Sequence, residues 1–397
     1  MRIADVRAHP IRNTDRDGEA QRSPGAPTRA VPEPIALVIV EIITSEGASG
    51  AGTVGGFCAA ATEIIRGHLR DLLIGEDARD IERLWEIMYR ATLRYGGRGA
   101  AIEAISGVDI ALWDLLGRAT GLPVFRLLGG RTRATVPVYA SHLRDTWAPA
   151  RLEAAARADV AAGFSAVKLF FGRGPDHGEG ALRRCVEATR LVRGAIGEAV
   201  DLMVDPHLRW DVPFTLAYAR GVADLGLRWI EEPIQFEDRA GYARLSRALD
   251  VPIAAGEHEY TRYPFVELIE RECVTVLQPD VNRVGGITEA RRIVAIAAAH
   301  GLPVCFHQGW LHSYHLMTAF PNCPIGEYFP RTDEGDTPAG NALNRLVLQG
   351  EPQAVRGHIT IDETPGFGWR IDGDAVDRFS PTAGVGAADQ PPRAVRR

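Results

Sequence analysis

The chain has 397 residues, 46% of them apolar, a net charge of −6 and no basic run. That length calls for one large domain with additions, and the acidic balance argues against nucleic acid or an anionic membrane as partner. No run approaches the ~18 apolar residues of a membrane span, Met1-Arg2-Ile3-Ala4-Asp5 offers no signal-peptide core, and five scattered cysteines without a C-x-x-C pair suit a reducing compartment, so a cytoplasmic globular protein is expected.

Met1 to about Ile11 reads as a strand. Asn13 to Pro34, rich in Gly, Pro, Arg and Asp, is too polar for a core and too long for a turn; such loops are functional or disordered. Ile35–Ile43 follows as a strand, then a turn at Ser45-Glu46-Gly47 and a return strand through Gly50-Ala51-Gly52, an antiparallel meander. Helical patterns come next over Ala60–Ile74, Ile81–Arg94 and Ala100–Thr120. In the last, Ile102, Ile105, Val108, Leu112, Leu115 and Leu116 share one face, and Gly121-Leu122-Pro123 stops it. Strands followed by helices predict a separate α+β module over residues 1–130.

Strand–helix alternation begins at Val136–Ala140, with Ala166–Phe170 as the second strand and a helix over Gly180–Ile196. Six further apolar runs each end on a residue able to bind a metal or move a proton: Asp205, Glu231, Glu257, Asp280, His307 and Glu327. The steps between them are 26, 26, 23, 27 and 20 residues. A buried parallel strand plus its crossover helix takes roughly 20–30 residues. The pattern predicts eight strands of a barrel over residues 131–330, with polar groups at the carboxyl ends of the strands, where barrel enzymes keep their chemistry. Residues 331–379 then return to the first module through Pro365-Gly366-Phe367-Gly368, and 380–397 form a Pro/Ala/Arg tail expected to be mobile.

Asp205, Glu231 and Glu257 sit on successive strand ends, where strand spacing of ~4.8 Å brings carboxylates together. Ionised, they repel by about 4 kcal/mol per pair at an effective dielectric near 20. Arg or Lys partners could neutralise them; a hard divalent cation, most plausibly Mg²⁺, would do so and leave positions open for substrate. Asp280 beside His307 suits a carboxylate that fixes an imidazole tautomer and raises its basicity, giving a general base. Lys168, in an apolar strand, needs an anion, which a metal-bound carboxylate would supply, and is a candidate substrate contact; otherwise it must snorkel. Glu327 could donate a hydrogen bond to an enolate if protonated, or be an ordinary rim carboxylate. His207, Arg209 and His258 follow ligand positions and are candidate substrate contacts, although loop polarity alone would place them there. One metal, one His–Asp dyad and one pocket suggest proton abstraction next to a carboxylate.

The chain resembles the enolase superfamily, mandelate racemase subgroup, on motifs spread over nearly its whole length. They are Ala111-Leu112-Trp113-Asp114, Leu127-Leu128-Gly129-Gly130, Val204-Asp205, Ile230-Glu231-Glu232-Pro233, Gly256-Glu257-His258, Gln278-Pro279-Asp280-Val281 and Val284-Gly285-Gly286. The resemblance implies a modified TIM barrel, (β/α)7β, with an N-terminal α+β capping domain whose loops, at Asn13–Pro34 and around Gly52–Phe57, close over the substrate. Within the subgroup it is most similar to the L-rhamnonate dehydratases, through Gly174-Pro175-Asp176-His177-Gly178, Ser313-Tyr314-His315, Pro321-Asn322-Cys323-Pro324 and Glu327-Tyr328. That implies Asp205, Glu231 and Glu257 as Mg²⁺ ligands, His307 backed by Asp280 as acid/base, and Glu327 near it. The subgroup's second strand usually carries Lys-x-Lys; here Lys168 is kept and the second lysine is replaced by Phe170. Rhamnonate dehydratases lack that lysine too. The expected activity is dehydration of an aldonate such as L-rhamnonate to a 2-keto-3-deoxy acid, in a homo-oligomer. An epimerase or cycloisomerase on the same scaffold is the alternative, and a non-catalytic binding relative the more distant one. Arg16, Arg22 and Arg29 on the cap loop are read as solvated.

Overall fold

The computed structural model of the chain describes residues 1–12, 35–55, 59–330 and 345–381. The polar segment 13–34 with Arg16, Arg22 and Arg29, part of the loop after Gly52, and nearly all of the tail lie outside them.

Strands β1 (Ile3–Arg12), β2 (Ile35–Thr44) and β3 (Ser49–Val54) form an antiparallel sheet in that order. The helix Ala100–Thr120 packs on β3 so closely that the strand needs glycine there. A Cβ at Gly52 would stand 2.1 Å from the Gly107 carbonyl oxygen. This helix was expected to show one apolar face, yet most of its surface is buried, because the barrel covers the side opposite the sheet. Its polar residues serve that second contact. Trp113 Nε1 donates to Thr288 Oγ1 at 2.9 Å, and Asp109 Oδ2 accepts from the Thr288 amide at 2.9 Å.

The barrel strands are β4 (Val136–Arg144), β5 (Ala166–Phe170), β6 (Asp201–Asp205), β7 (Leu227–Glu231), β8 (Ile253–Ala255), β9 (Val276–Leu277) and β10 (Gly326–Tyr328). They run parallel from β4 to β9, and β10 pairs with β4. The Pro303–Phe306 run is not a strand as expected. It contributes one parallel bridge, Leu277 to Val304, with the Cys305 amide donating to the Leu277 carbonyl at 2.9 Å. Pro303 has no amide to extend that ladder. In contrast, β4 continues past its expected end at Ala140 to Arg144. Tyr139, Met203, Trp229, Ala254, Cys305 and Ile325 fill the interior as a packed core.

After residue 345 the chain adds β11 (Leu348–Gln349), β12 (His358–Ile359) and β13 (Arg370–Ile371); β12 lies antiparallel on β4 and β11 pairs with β13. The segment then reaches the cap. The Gly366 carbonyl accepts from Val124 N at 2.9 Å and Phe367 N donates to Asp114 Oδ1 at 2.8 Å. No helix among the described residues is long and apolar enough to cross a membrane.

Candidate active site

The ends of β6, β7 and β8 bring Asp205, Glu231 and Glu257 together at the barrel mouth. All three are buried, and one oxygen of each lies within 4.8 Å of the others. The apolar runs before them account for this: strand residues with both faces covered must be apolar, and a polar group is tolerated only where the strand opens to the mouth. Lys168 on β5 reaches in among them and is fully buried. Its Nζ lies 2.6 Å from Glu231 Oε1, 2.7 Å from Glu327 Oε1 and 3.5 Å from Asp205 Oδ2. The anion that a lysine in an apolar strand requires is therefore present three times over.

One ammonium does not balance this cluster. Burial, opposed by Lys168 and reinforced by the neighbouring carboxylates, pushes Asp205 up to about 6 and Glu231 up to about 8. Carboxylates that resist ionising together, offering hard oxygen donors at the spacing of one ion, fit a divalent cation such as Mg²⁺. Glu231 Oε2 is also held, by Gln278 Nε2 at 2.7 Å and Trp229 Nε1 at 3.1 Å, which fixes the outer geometry of such a ligand. Burial also pushes Glu257 upward, but His307, His258 and Arg283 hold it below the usual carboxylate range.

His307 follows the Leu277–Val304 bridge and faces this cluster. Its Nδ1 lies 2.9 Å from Asp280 Oδ2. The Asp280 carboxylate, held below its ordinary range despite burial, can only accept, so Nδ1 carries the proton and Nε2 is the working nitrogen. Nε2 stands 3.4 Å from Glu257 Oε2. Burial opposes a charge on the ring, yet Glu257 and Asp280 together raise it to about 9.

Glu327 differs from the expectation of a protonated donor. Its Oε1 accepts from Ser141 Oγ at 2.5 Å and from Lys168, and its Oε2 accepts from the Gln308 amide at 2.7 Å. Burial is overcome by Lys168 and His307, and the carboxyl is held below its ordinary range. Glu327 is thus an ionised anchor for the strand-two lysine and for the backbone just after His307.

A cavity of about 230 Å³ opens over the cluster, lined among others by Asp205, Glu257, His307 and Glu327. His207 and Arg209 line it as the sequence suggested. Two other candidate substrate contacts do not. Lys168 is buried against the carboxylates, and His258 is bonded through Nδ1 to Glu232 Oε2 at 2.6 Å with its ring stacked on Phe236. Glu232, Glu257 and His258 also bring three donors within one ion's reach, but that short bond already satisfies two of them. Sequence reasoning missed Arg144, Phe171, Gln308 and Phe329 on the cavity wall. Arg144 pairs in register with Phe170, and extending β4 to match β5 would have found it.

Residues 19–129 match the mandelate racemase / muconate lactonizing enzyme N-terminal domain, and residues 151–375 the enolase C-terminal domain-like family. The chain belongs to this family. It is 35% identical over 343 residues to L-rhamnonate dehydratase of Saccharopolyspora erythraea, covering 85% of this chain and 84% of that one. Rhamnonate dehydratase from Gibberella zeae complexed with Mg superposes with a TM-score of 0.81 at 31% identity, over 94% of this chain and 95% of that one. The 3,6-anhydro-D-galactonate cycloisomerase from Zobellia galactanivorans gives 0.82 at 28% identity, over 96% and 99%. The expected fold class and family resemblance are borne out. Family membership does not choose among the reactions its members carry, and that choice falls to the site.

Proposed function

We propose that the chain is a Mg²⁺-dependent acid-sugar dehydratase, a hydro-lyase acting on an aldonate of the L-rhamnonate kind. The observation that carries this reading is a one-sided base: a single imidazole tied to a carboxylate, His307 with Asp280, facing a cavity whose wall has apolar Phe170 where a second lysine would stand. The dehydratase relatives and the magnesium bound in one of them support the same reading.

Mg²⁺, when bound by Asp205, Glu231 and Glu257, supplies positive charge that acidifies the α-proton of a neighbouring carboxylate and offsets the pull of Glu257 on His307. His307 Nε2 then takes the C2 proton while Asp280 holds the ring tautomer. The C2–H electron pair becomes the C2–C3 double bond as the C3–O bond breaks. The same His307 returns its proton to the departing hydroxyl, releasing water. The enol tautomerises to the 2-keto-3-deoxy acid. A single base serving one face requires syn elimination, and loss of the C2 proton and C3 hydroxyl from opposite faces, read by stereochemical analysis in deuterated water, contradicts it.

The test is a Mg²⁺-dependent screen of aldonic and aldaric acids for 2-keto-3-deoxy product. L-Rhamnonate or a near epimer is expected to turn over, and His307→Asn to lower kcat by at least about a thousandfold while Mg²⁺ affinity is kept. Rapid C2 proton exchange without elimination points instead to an epimerase or cycloisomerase. Silence across the library with Mg²⁺ still bound removes the acid-sugar reading.

A further inference from the structure

Asp280 orients His307, but the stretch of chain that orients Asp280 has little to hold it on its own. The carboxylate caps a single helical turn, Val281–Val284. Its Oδ1 accepts from the Asn282 amide at 2.8 Å, which leaves Oδ2 for His307 Nδ1 at 2.9 Å, with Arg283 Nε 3.7 Å away. One turn of helix is too short to be stable alone. Gly285 and Gly286 behind it have φ of 113° and 78°, conformations that stiffen nothing. The place of the turn is therefore set by what it is fastened to.

It is fastened to the cap. Trp85 Nε1 donates to the Gly285 carbonyl at 2.8 Å, and Ser106 Oγ accepts from the Gly285 amide at 2.9 Å. From β3, Thr53 Oγ1 donates to Asn282 Oδ1 at 2.6 Å, with both residues fully buried. A path of three bonds thus runs from the cap strand to the imidazole: Thr53 to the Asn282 side chain, the Asn282 amide to Asp280, and Asp280 to His307. The polar pair that begins it is costly. Asn282 Nδ2 is buried and meets no hydrogen-bond partner among the described residues. An unmet buried donor costs more than the bond beside it returns, whereas two apolar side chains of the same shape would be neutral or stabilising. Stability alone does not account for asparagine and threonine at this contact; a fixed direction for the turn does.

We infer that Thr53 and Asn282 are positioning residues for the base: the cap strand, through their bond, sets the turn that aims Asp280 at His307. The cap therefore contributes to proton transfer from a contact that touches neither substrate nor metal. This rests on the dehydratase reading for the substrate that is turned over, but not for the aim of the dyad.

The experiment uses the full chain with Mg²⁺ and the double variant Thr53→Val, Asn282→Leu, which replaces the polar pair by an apolar one and leaves no buried donor unmet. A catalytic group misplaced by about 1 Å costs on the order of a hundredfold in rate, so a loosened support is expected to lower kcat for the acid sugar found in the screen by about tenfold. KM should stay within about threefold, with Mg²⁺ affinity unchanged and Tm no lower than the parent's. Thr53→Ser keeps the hydroxyl and should keep kcat. Thr288→Val, which cuts the Trp113 bond at the same junction, should leave kcat within about twofold. Beside turnover, proton NMR follows the downfield resonance of the His307–Asp280 bond, identified by its loss in His307→Asn. In the double variant it is expected to move upfield and to exchange with water at least about tenfold faster. An unchanged resonance, a kcat within about twofold of the parent, or an equal loss of kcat in Thr288→Val overturns the inference. If no acid sugar turns over while the resonance still depends on Thr53 and Asn282, the dehydratase reading falls and the positioning role stands.

Discussion

Lys168 holds together carboxylates that come from three strands, and its removal would leave Glu231 and Glu327 buried without their cation. Breaking such a buried pair costs about 3–5 kcal/mol, much more than a surface pair. Lys168→Met is therefore expected to lower unfolding stability by that order in urea melts without added metal, and to recover part of it when Mg²⁺ is supplied. A loss below about 1 kcal/mol would mean that the carboxylates simply take up protons instead. At this scale the sequence shows Asp205, Glu231, Glu257, Asp280 and His307 plainly, because each ends an apolar run. It hides the role of Glu327, whose donors Ser141 and Lys168 are distant in the chain. It hides Arg144 too, because Ser141 and His142 interrupt the apolar run of β4 and make the strand look finished at Ala140.

The helix Leu311–Ala319 carries two buried histidines with no part in the chemistry. His312 stacks on Trp310, and His315 Nδ1 accepts from the Phe125 amide at 3.2 Å, tying the helix to the cap. Burial depresses both rings to about 3. An unfolded chain binds protons on them near pH 6.5, whereas the folded chain excludes protons down to about pH 3. In that window these two rings carry more protons in the unfolded state, so their contribution to stability falls as pH drops below about 6.5. His312→Phe, which keeps the stack, should remove about one proton from the pH slope of stability measured by urea melts between pH 7 and 4.5; an unchanged slope would mean His312 is not held neutral. Element types were legible from periodicity, but not how their surfaces are used. The 100–120 helix shows one apolar stripe in its sequence, and only the presence of a barrel behind it explains why Asp109 and Trp113 are buried as well.

For the whole molecule, the barrel mouth links metal, protons and stability. Asp205 and Glu231 have values raised to about 6 and 8, above the 3.8 and 4.5 of free carboxylates. Between about pH 4 and pH 8 these two carboxyls therefore hold more protons in the metal-free folded chain than in the unfolded one, and their contribution to stability falls as pH rises through that window. A divalent cation must displace those protons, so it binds better where they are already gone. Adding Mg²⁺ is expected to raise Tm by several degrees more at pH 8.5 than at pH 5.5, with EDTA reversing both shifts in scanning calorimetry. Equal shifts at the two pH values would place the cation elsewhere. The barrel was legible at this scale because its period is fixed by the length of a strand and its crossover helix. The return of the chain after residue 345 was legible only as a direction, since the side chains it meets, among them Asp114, Arg118 and Arg126, lie far away in the chain.

That return has a consequence for how the protein is made. Asp114 waits on the Phe367 amide, and Val124 N on the Gly366 carbonyl, through the synthesis of the whole barrel between them. A nascent chain emerging from the ribosome can pair the cap's three strands early, but it cannot make these closing bonds until Gly366 and Phe367 have been translated. A premature stop before Gly366 would release a barrel with its strand-end carboxylates in place and a cap left open. Exchanging the cap for another therefore requires carrying two separated stretches of chain, the one that holds Asp114 and Val124 and the one that holds Gly366 and Phe367.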